Sequence, residues 1–97
     1  MMKAPNHLSP EMKKFWRDVL KDYELESDAL LVLRTAAEQW DRAQQARETL
    51  ATEGITLKDK KHPAIDVEKQ AVGLFLRSMR QLGLDIVAPG QPKGRRL

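Results

Sequence analysis

SDALLVLRTAAEQWDRAQQARETLATEG, running from Ser27 to Gly54, contains neither Gly nor Pro before its last residue. Ser27 stands where a helix N-cap belongs and Gly54 where a left-handed stop belongs, so the pattern predicts one helix over 28–53. At 1.5 Å per residue such a helix is roughly 39 Å long, whereas a compact globule of this chain length is roughly 32 Å across. The helix is therefore expected to project. Its apolar positions Leu30, Leu33, Ala36, Ala37, Trp40, Ala43, Leu50 and Ala51 share one side, and Arg34, Glu38 and Arg42 are spaced for i,i+4 ion pairs on the other. Gln44 and Arg47 interrupt the stripe in the second half, the mixture expected where a helix leaves its own core and meets a neighbouring chain. That reading assigns an oligomer interface to Leu33, Ala37, Trp40, Ala43, Arg47 and Leu50. Trp40 fits either a core anchor or a subunit hot spot.

Two shorter helices flank the long one. Ser9-Pro10-Glu11 is a helix start: Ser as N-cap, Pro at the first helical position, and an acid near the positive end of the dipole. The first helix then runs over about 9–22, with Met12, Phe15, Trp16, Val19 and Leu20 at the spacing of one buried face. Lys14, Arg17 and Lys21 gather on the opposite side, where they fit an ordinary solvated face or a DNA contact. After Gly54 comes a loop with a short extended piece, Ile55-Thr56-Leu57, and then Lys58-Asp59-Lys60-Lys61, a solvated turn or a phosphate-facing tip. His62-Pro63 opens the last helix, over about 63–82, with Val67, Ala71, Leu74, Phe75, Ser78 and Leu82 along one face. Gly83 ends it, and Leu84 is placed as the hydrophobic contact of a Schellman cap.

The expected architecture is all-α: three helices, the central one forming an antiparallel hairpin with the last. An extended N-terminal arm over 1–8 leads into a single helical domain over 9–88, followed by a basic tail over 89–97 whose Pro and Gly content predicts disorder. Ninety-seven residues supply only a modest core for a lone monomer, so oligomerisation would add burial. The net charge of +3 is carried by Lys93, Arg95 and Arg96 in the tail, which leaves the body balanced and places any nucleic-acid contact in local patches. There is no Cys, and no apolar run resembles a signal peptide or a membrane span, so a cytoplasmic protein is expected. Catalysis is not expected either. The two histidines, His7 and His62, stand far apart, and neither a phosphate-binding GxxxxGK[ST] loop nor an HExxH motif is present. His62, directly before Pro63, reads as a helix-start residue rather than a metal ligand. No cofactor or metal is implied.

Taken in order, the punctuation of the chain resembles the short, all-helical small subunits of bacteriophage terminase. The matching pieces are Ala4-Pro5-Asn6-His7-Leu8-Ser9 before a helix containing Trp16, Asp28 opening a long helix, Gly54 closing it, His62-Pro63, and Leu82-Gly83-Leu84 followed by Pro89. The resemblance implies a non-enzymatic subunit that assembles into a ring in the bacterial host cytoplasm. It also implies recognition of the packaging site on viral double-stranded DNA and its presentation to the large terminase subunit, which holds the ATPase and nuclease. The DNA-binding residues expected are Lys14, Arg17, Lys21, Lys93, Arg95 and Arg96, acting on phosphates and multiplied by copies around the ring. Only Met1, Met2 and Lys3 precede the Ala4-Pro5 element, and the connection between the first two helices is acidic and lacks a turn Gly. Those departures point to an alternative: a satellite- or prophage-encoded modulator that binds another terminase subunit, a second small subunit among the candidates, and redirects packaging with little DNA binding of its own. A third alternative is a small three-helix protein unconnected with phage.

Overall fold

The computed structural model describes residues 3–83. The elements run α1 (Pro10–Asp22), α2 (Ser27–Glu53), β1 (Thr56–Leu57), β2 (Lys60–Lys61) and α3 (Pro63–Leu82). With 74% of the described residues helical, the class is all-α, and the long central helix packs against the last in a hairpin. The Schellman contact expected of Leu84 and the basic tail lie outside the described residues.

Helix α1 begins as its sequence demands. Ser9 is the N-cap, its hydroxyl accepting from the Met12 N–H at 3.1 Å, with Pro10 at the first helical position. Met12, Phe15, Trp16 and Val19 are buried on one face. Of the extended arm expected over 1–8, residues 3–8 are described, and its end is packed onto the core. Leu8 is only 3% exposed, its N–H closes a turn onto the Pro5 carbonyl, and Ala4 packs against the same core. Burying a Leu offsets the entropy of ordering a few residues.

Helix α2 starts one residue earlier than expected. Glu26 occupies the N-cap position, its carbonyl accepting from Leu30 N–H at 2.9 Å, and no side chain caps the helix. Ser27 is the first helical residue, and Asp28 takes the adjacent Ala29 N–H at 2.9 Å. At the other end Gly54 donates to the Leu50 carbonyl at 2.8 Å. Its φ of 85° and ψ of 172° depart from the left-handed helical geometry expected, falling in a region only Gly enters readily. Gly83 does adopt the left-handed helical conformation, at φ 64° and ψ 16°.

The link from α2 to α3 is a small β-hairpin. Thr56 pairs with Lys61 and Leu57 with Lys60, leaving Lys58 and Asp59 as a two-residue loop with φ of 52° and 62°. Positive φ at both positions is the requirement of a type I′ turn, whose twist suits paired strands. The lysine cluster is therefore half turn and half strand. His62 then sets the start of α3: its Nδ1 accepts from Ala64 N–H at 3.0 Å, and its Nε2–H donates to Glu53 Oε1 at 2.9 Å. One imidazole thus ties the end of α2 to the beginning of α3, and the acceptor role of Nδ1 assigns the tautomer.

Small residues let the two long helices approach. Ala36, Ala43 and Ala46 of α2 are buried, as are Ala64, Ala71, Phe75 and Ser78 of α3. Within the face expected for α3, Leu74 is exposed, because the buried stripe is centred on Phe75 and turns toward Met79. Helix α1 packs against α2 through a second cluster of Leu8, Met12, Phe15, Trp16, Val19, Leu33 and Ala37. Trp40 and Met79 touch both clusters and join them. The molecule measures 49 × 29 × 23 Å, with a radius of gyration of 14.8 Å against ~12.5 Å for a compact chain of this length. The elongation expected of the long helix is present.

Candidate nucleic-acid interface

Polar contacts fix how α1 lies across α2, and so where its basic face points. Ser9 donates its N–H to Asp41 Oδ2 at 2.8 Å and its hydroxyl to Asp41 Oδ1 at 2.6 Å, while that hydroxyl also serves as the cap. Both oxygens of one carboxylate thus hold the root of α1. Two residues on, Glu11 Oε1 accepts from the Trp40 indole N–H at 2.9 Å. His7 meets Glu38 at 2.7 Å, and Arg34 reaches the same carboxylate oxygen at 3.3 Å. The second pair expected on that face does not form: Arg42 has no ion pair among the described residues. Its neighbour Glu38 turns instead toward the N-terminal segment.

The apolar face of α1 is turned inward, so Lys14, Arg17 and Lys21 are exposed together on its outer side. Lys14 is already paired with Asp18 at 2.9 Å, and Asp22 lies one turn further along the same side. The three cations are therefore interleaved with two carboxylates. Beside the root of α1 lies an open groove of about 350 Å³, lined by His7, Ser9, Glu11, Asp41, Gln44 and Glu48 among others. Three carboxylates on its wall disfavour a phosphate there. Among the described residues no group of three or more His, Asp or Glu could hold a metal ion, and no helix is long and apolar enough to cross a membrane. Lys93, Arg95 and Arg96 lie outside the described residues.

The positions expected at an oligomer interface fall differently. Leu33, Ala37 and Ala43 are 0% exposed in the single chain. Leu33 and Ala37 share one cluster with Met12, Phe15, Trp16 and Val19 of α1. Trp40 is half-buried, its ring 5.1 Å from that of Phe75 at a 56° tilt, which places it in the core-anchor role. Arg47 is exposed but holds Glu68 of α3 at 2.7 Å, and Leu50 is half-buried. The apolar surface left to a partner lies elsewhere: Leu31 is 62% exposed, Ile55 68%, and Leu57, Leu74 and Leu76 are also exposed.

A second basic face lies beyond the sequence-based expectations. Lys69, Arg77 and Arg80 of α3 are all exposed on the side away from α2, around Gly73. A signal for it is present, since no Asp or Glu occurs from Lys69 to Gly83. The apolar stripe of the same helix masks it. Compared with protein-family models, curated proteins and solved structures, the chain matches none.

Proposed function

We propose that this chain is a non-catalytic small terminase subunit. In this reading it self-associates, binds viral double-stranded DNA at the packaging site and presents it to the large, ATPase- and nuclease-bearing subunit in the cytoplasm of a bacterial host. The observation that carries the reading is the projecting arm built by α2, the β-hairpin and α3. Helix α2 is ~40 Å long, and the root of α1 is held near its middle, where Ser9 meets Asp41. Past the groove that reaches Glu48, the far end of the arm is built from α2, the β-hairpin and α3, and Ile55 and Leu57 stand exposed there. An arm of this form is suited to lying against neighbouring copies, and the order of punctuation residues along the chain supports the same class.

Light scattering after gel filtration, combined with retention of duplex DNA at several salt concentrations, tests it. A closed oligomer that holds DNA with a steep salt dependence is expected. A monomer or simple dimer that holds no DNA at low salt refutes it. Replacing Lys14, Arg17 and Lys21 together by Gln should flatten the salt dependence, and an unchanged slope would remove α1 from the DNA site.

A second reading draws support from α1. The interleaving of Lys14, Arg17 and Lys21 with Asp18 and Asp22 suits a protein partner of mixed charge as well as a phosphate backbone. On that reading the chain is a modulator that joins another terminase subunit and redirects packaging. Tight association with a heterologous subunit and weak DNA affinity of the isolated chain are then expected in a pull-down.

A further inference from the structure

We infer that the outer face of α3, continued by the β-hairpin, is a docking surface for the phosphate backbone of duplex DNA, separate from α1. The inference rests on the reading of the chain as a DNA-packaging adaptor and names the surface that does the binding.

Charge is the first ground. Lys69, Arg77 and Arg80 are exposed, and none of them forms an ion pair among the described residues. This contrasts with Lys14 on α1, which Asp18 already neutralises. The nearest carboxylates on α3 are engaged elsewhere: Glu68 is turned to the α2 side and held by Arg47 at 2.7 Å, and Asp66 is held by Lys61 at 2.9 Å. The Lys61–Asp66 pair also ties the hairpin to the first turn of α3, so Lys58 and Lys60 extend the positive surface beyond the helix start. Along α3 a phosphate meets Lys69, Arg77 and Arg80 with no ion-paired counter-charge, while at the hairpin it also meets the exposed carboxylate of Asp59 between Lys58 and Lys60.

Shape is the second. Gly73 stands midway between Lys69 and Arg77, one turn from each, and a Cβ built on it would meet nothing within 4 Å. Gly inside an exposed helix is less stable than Ala, and here no neighbour within the chain requires it. It leaves a low saddle between cations, over which a backbone of another molecule can pass closely. From Lys69 to Arg80 the face is straight for ~16.5 Å, a length that spans several phosphates of one strand. The absence of any aromatic side chain among its exposed residues from Lys69 to Gln81 favours duplex over single-stranded DNA, which relies on stacking platforms. Leu76 is exposed on the same face, but the charged groups there suit phosphates, so the binding is independent of base sequence.

The test is fluorescence anisotropy of a labelled random-sequence duplex with the full chain across a salt series. The Lys69→Gln, Arg77→Gln, Arg80→Gln triple variant should lower the log–log salt slope by up to ~2.7, about 0.9 for each phosphate no longer neutralised. That exceeds the fall expected from the corresponding α1 variant, while Arg34→Gln with Arg42→Gln on the solvent side of α2 should leave the slope unchanged. Gly73→Glu places a carboxylate on the saddle while keeping all three cations and should weaken binding about tenfold, whereas Gly73→Ala separates charge from helix propensity. Circular dichroism melts accompany each variant, and Gly73→Glu carries the test should the triple variant not fold. Duplex binding insensitive to both α3 variants overturns the inference and leaves the adaptor reading standing, as does a preference for single strands. Failure of the wild-type chain to bind duplex while it still assembles with a terminase subunit also overturns it, in favour of the modulator. Failure of both binding and assembly overturns the adaptor reading itself.

Discussion

Replacing Trp40 by Ala should destabilise the fold by about 3 kcal/mol. A fully buried Trp costs about 3–5 kcal/mol when truncated, and Trp40 is half-buried, which moves the expectation to the lower end. Its contribution has identifiable parts. The tilted pair with Phe75 at 5.1 Å accounts for about 0.5–1.5 kcal/mol beyond burial. The indole N–H to Glu11 at 2.9 Å adds about 1 kcal/mol, reduced from the usual charged-acceptor value by its exposure. The remainder is apolar area shared by the two core clusters that Trp40 joins. For a domain of this size, about 3 kcal/mol corresponds to a fall in Tm of about 12–24 °C. Urea and thermal unfolding followed by circular dichroism read it directly, with Trp40→Phe as the internal comparison, retaining the ring pair and losing about 1 kcal/mol. A Trp40→Ala chain that unfolds within about 1 kcal/mol of the wild type but no longer assembles would refute the reasoning and return Trp40 to a subunit interface.

Asp41→Ala leaves the Ser9 N–H and hydroxyl without their acceptor and should cost about 1–2 kcal/mol in urea unfolding, with Asp41→Asn recovering part of it. His62→Ala removes both the cap of α3 and the tie to Glu53, for about 1–2 kcal/mol; His62→Asn, a good capping residue, should restore the first but not the second. Because Lys58 and Asp59 both sit at positive φ, Lys58→Asn with Asp59→Gly should stabilise the hairpin by about 0.5–1 kcal/mol, seen as slower amide exchange at His62. Gly73→Ala should raise the melting temperature by a few degrees in the isolated chain, since the added methyl meets nothing.

The helices are legible in the sequence because periodicity and punctuation agree. Ser9-Pro10 and His62-Pro63 open helices where expected, and Gly54 and Gly83 close them. The start of α2 differs by one residue from its sequence signal, because a Ser next to an Asp carries the composition of a cap whether or not its side chain is used. The interface is less legible. A helical wheel reports that Leu33, Ala37 and Ala43 face something apolar, but it carries no information on whether that surface belongs to the same chain. In the folded chain Leu33 and Ala37 lie in one cluster with Leu8 and the apolar face of α1, and Ala43 is buried as well. The basic face of α3 is hidden for a related reason, since its charges sit among apolar residues that invite a core reading of the whole helix.

Because α1 reinforces only the base of the arm, resistance to opening should be graded along it. Backbone amides near Leu33 and Ala37, flanked on both sides, report the global unfolding free energy, whereas those from Leu50 onward open in smaller, local events. An adaptor built this way would keep a stiff shoulder and a yielding fingertip, able to adjust its far end to an uneven surface without loosening its own root.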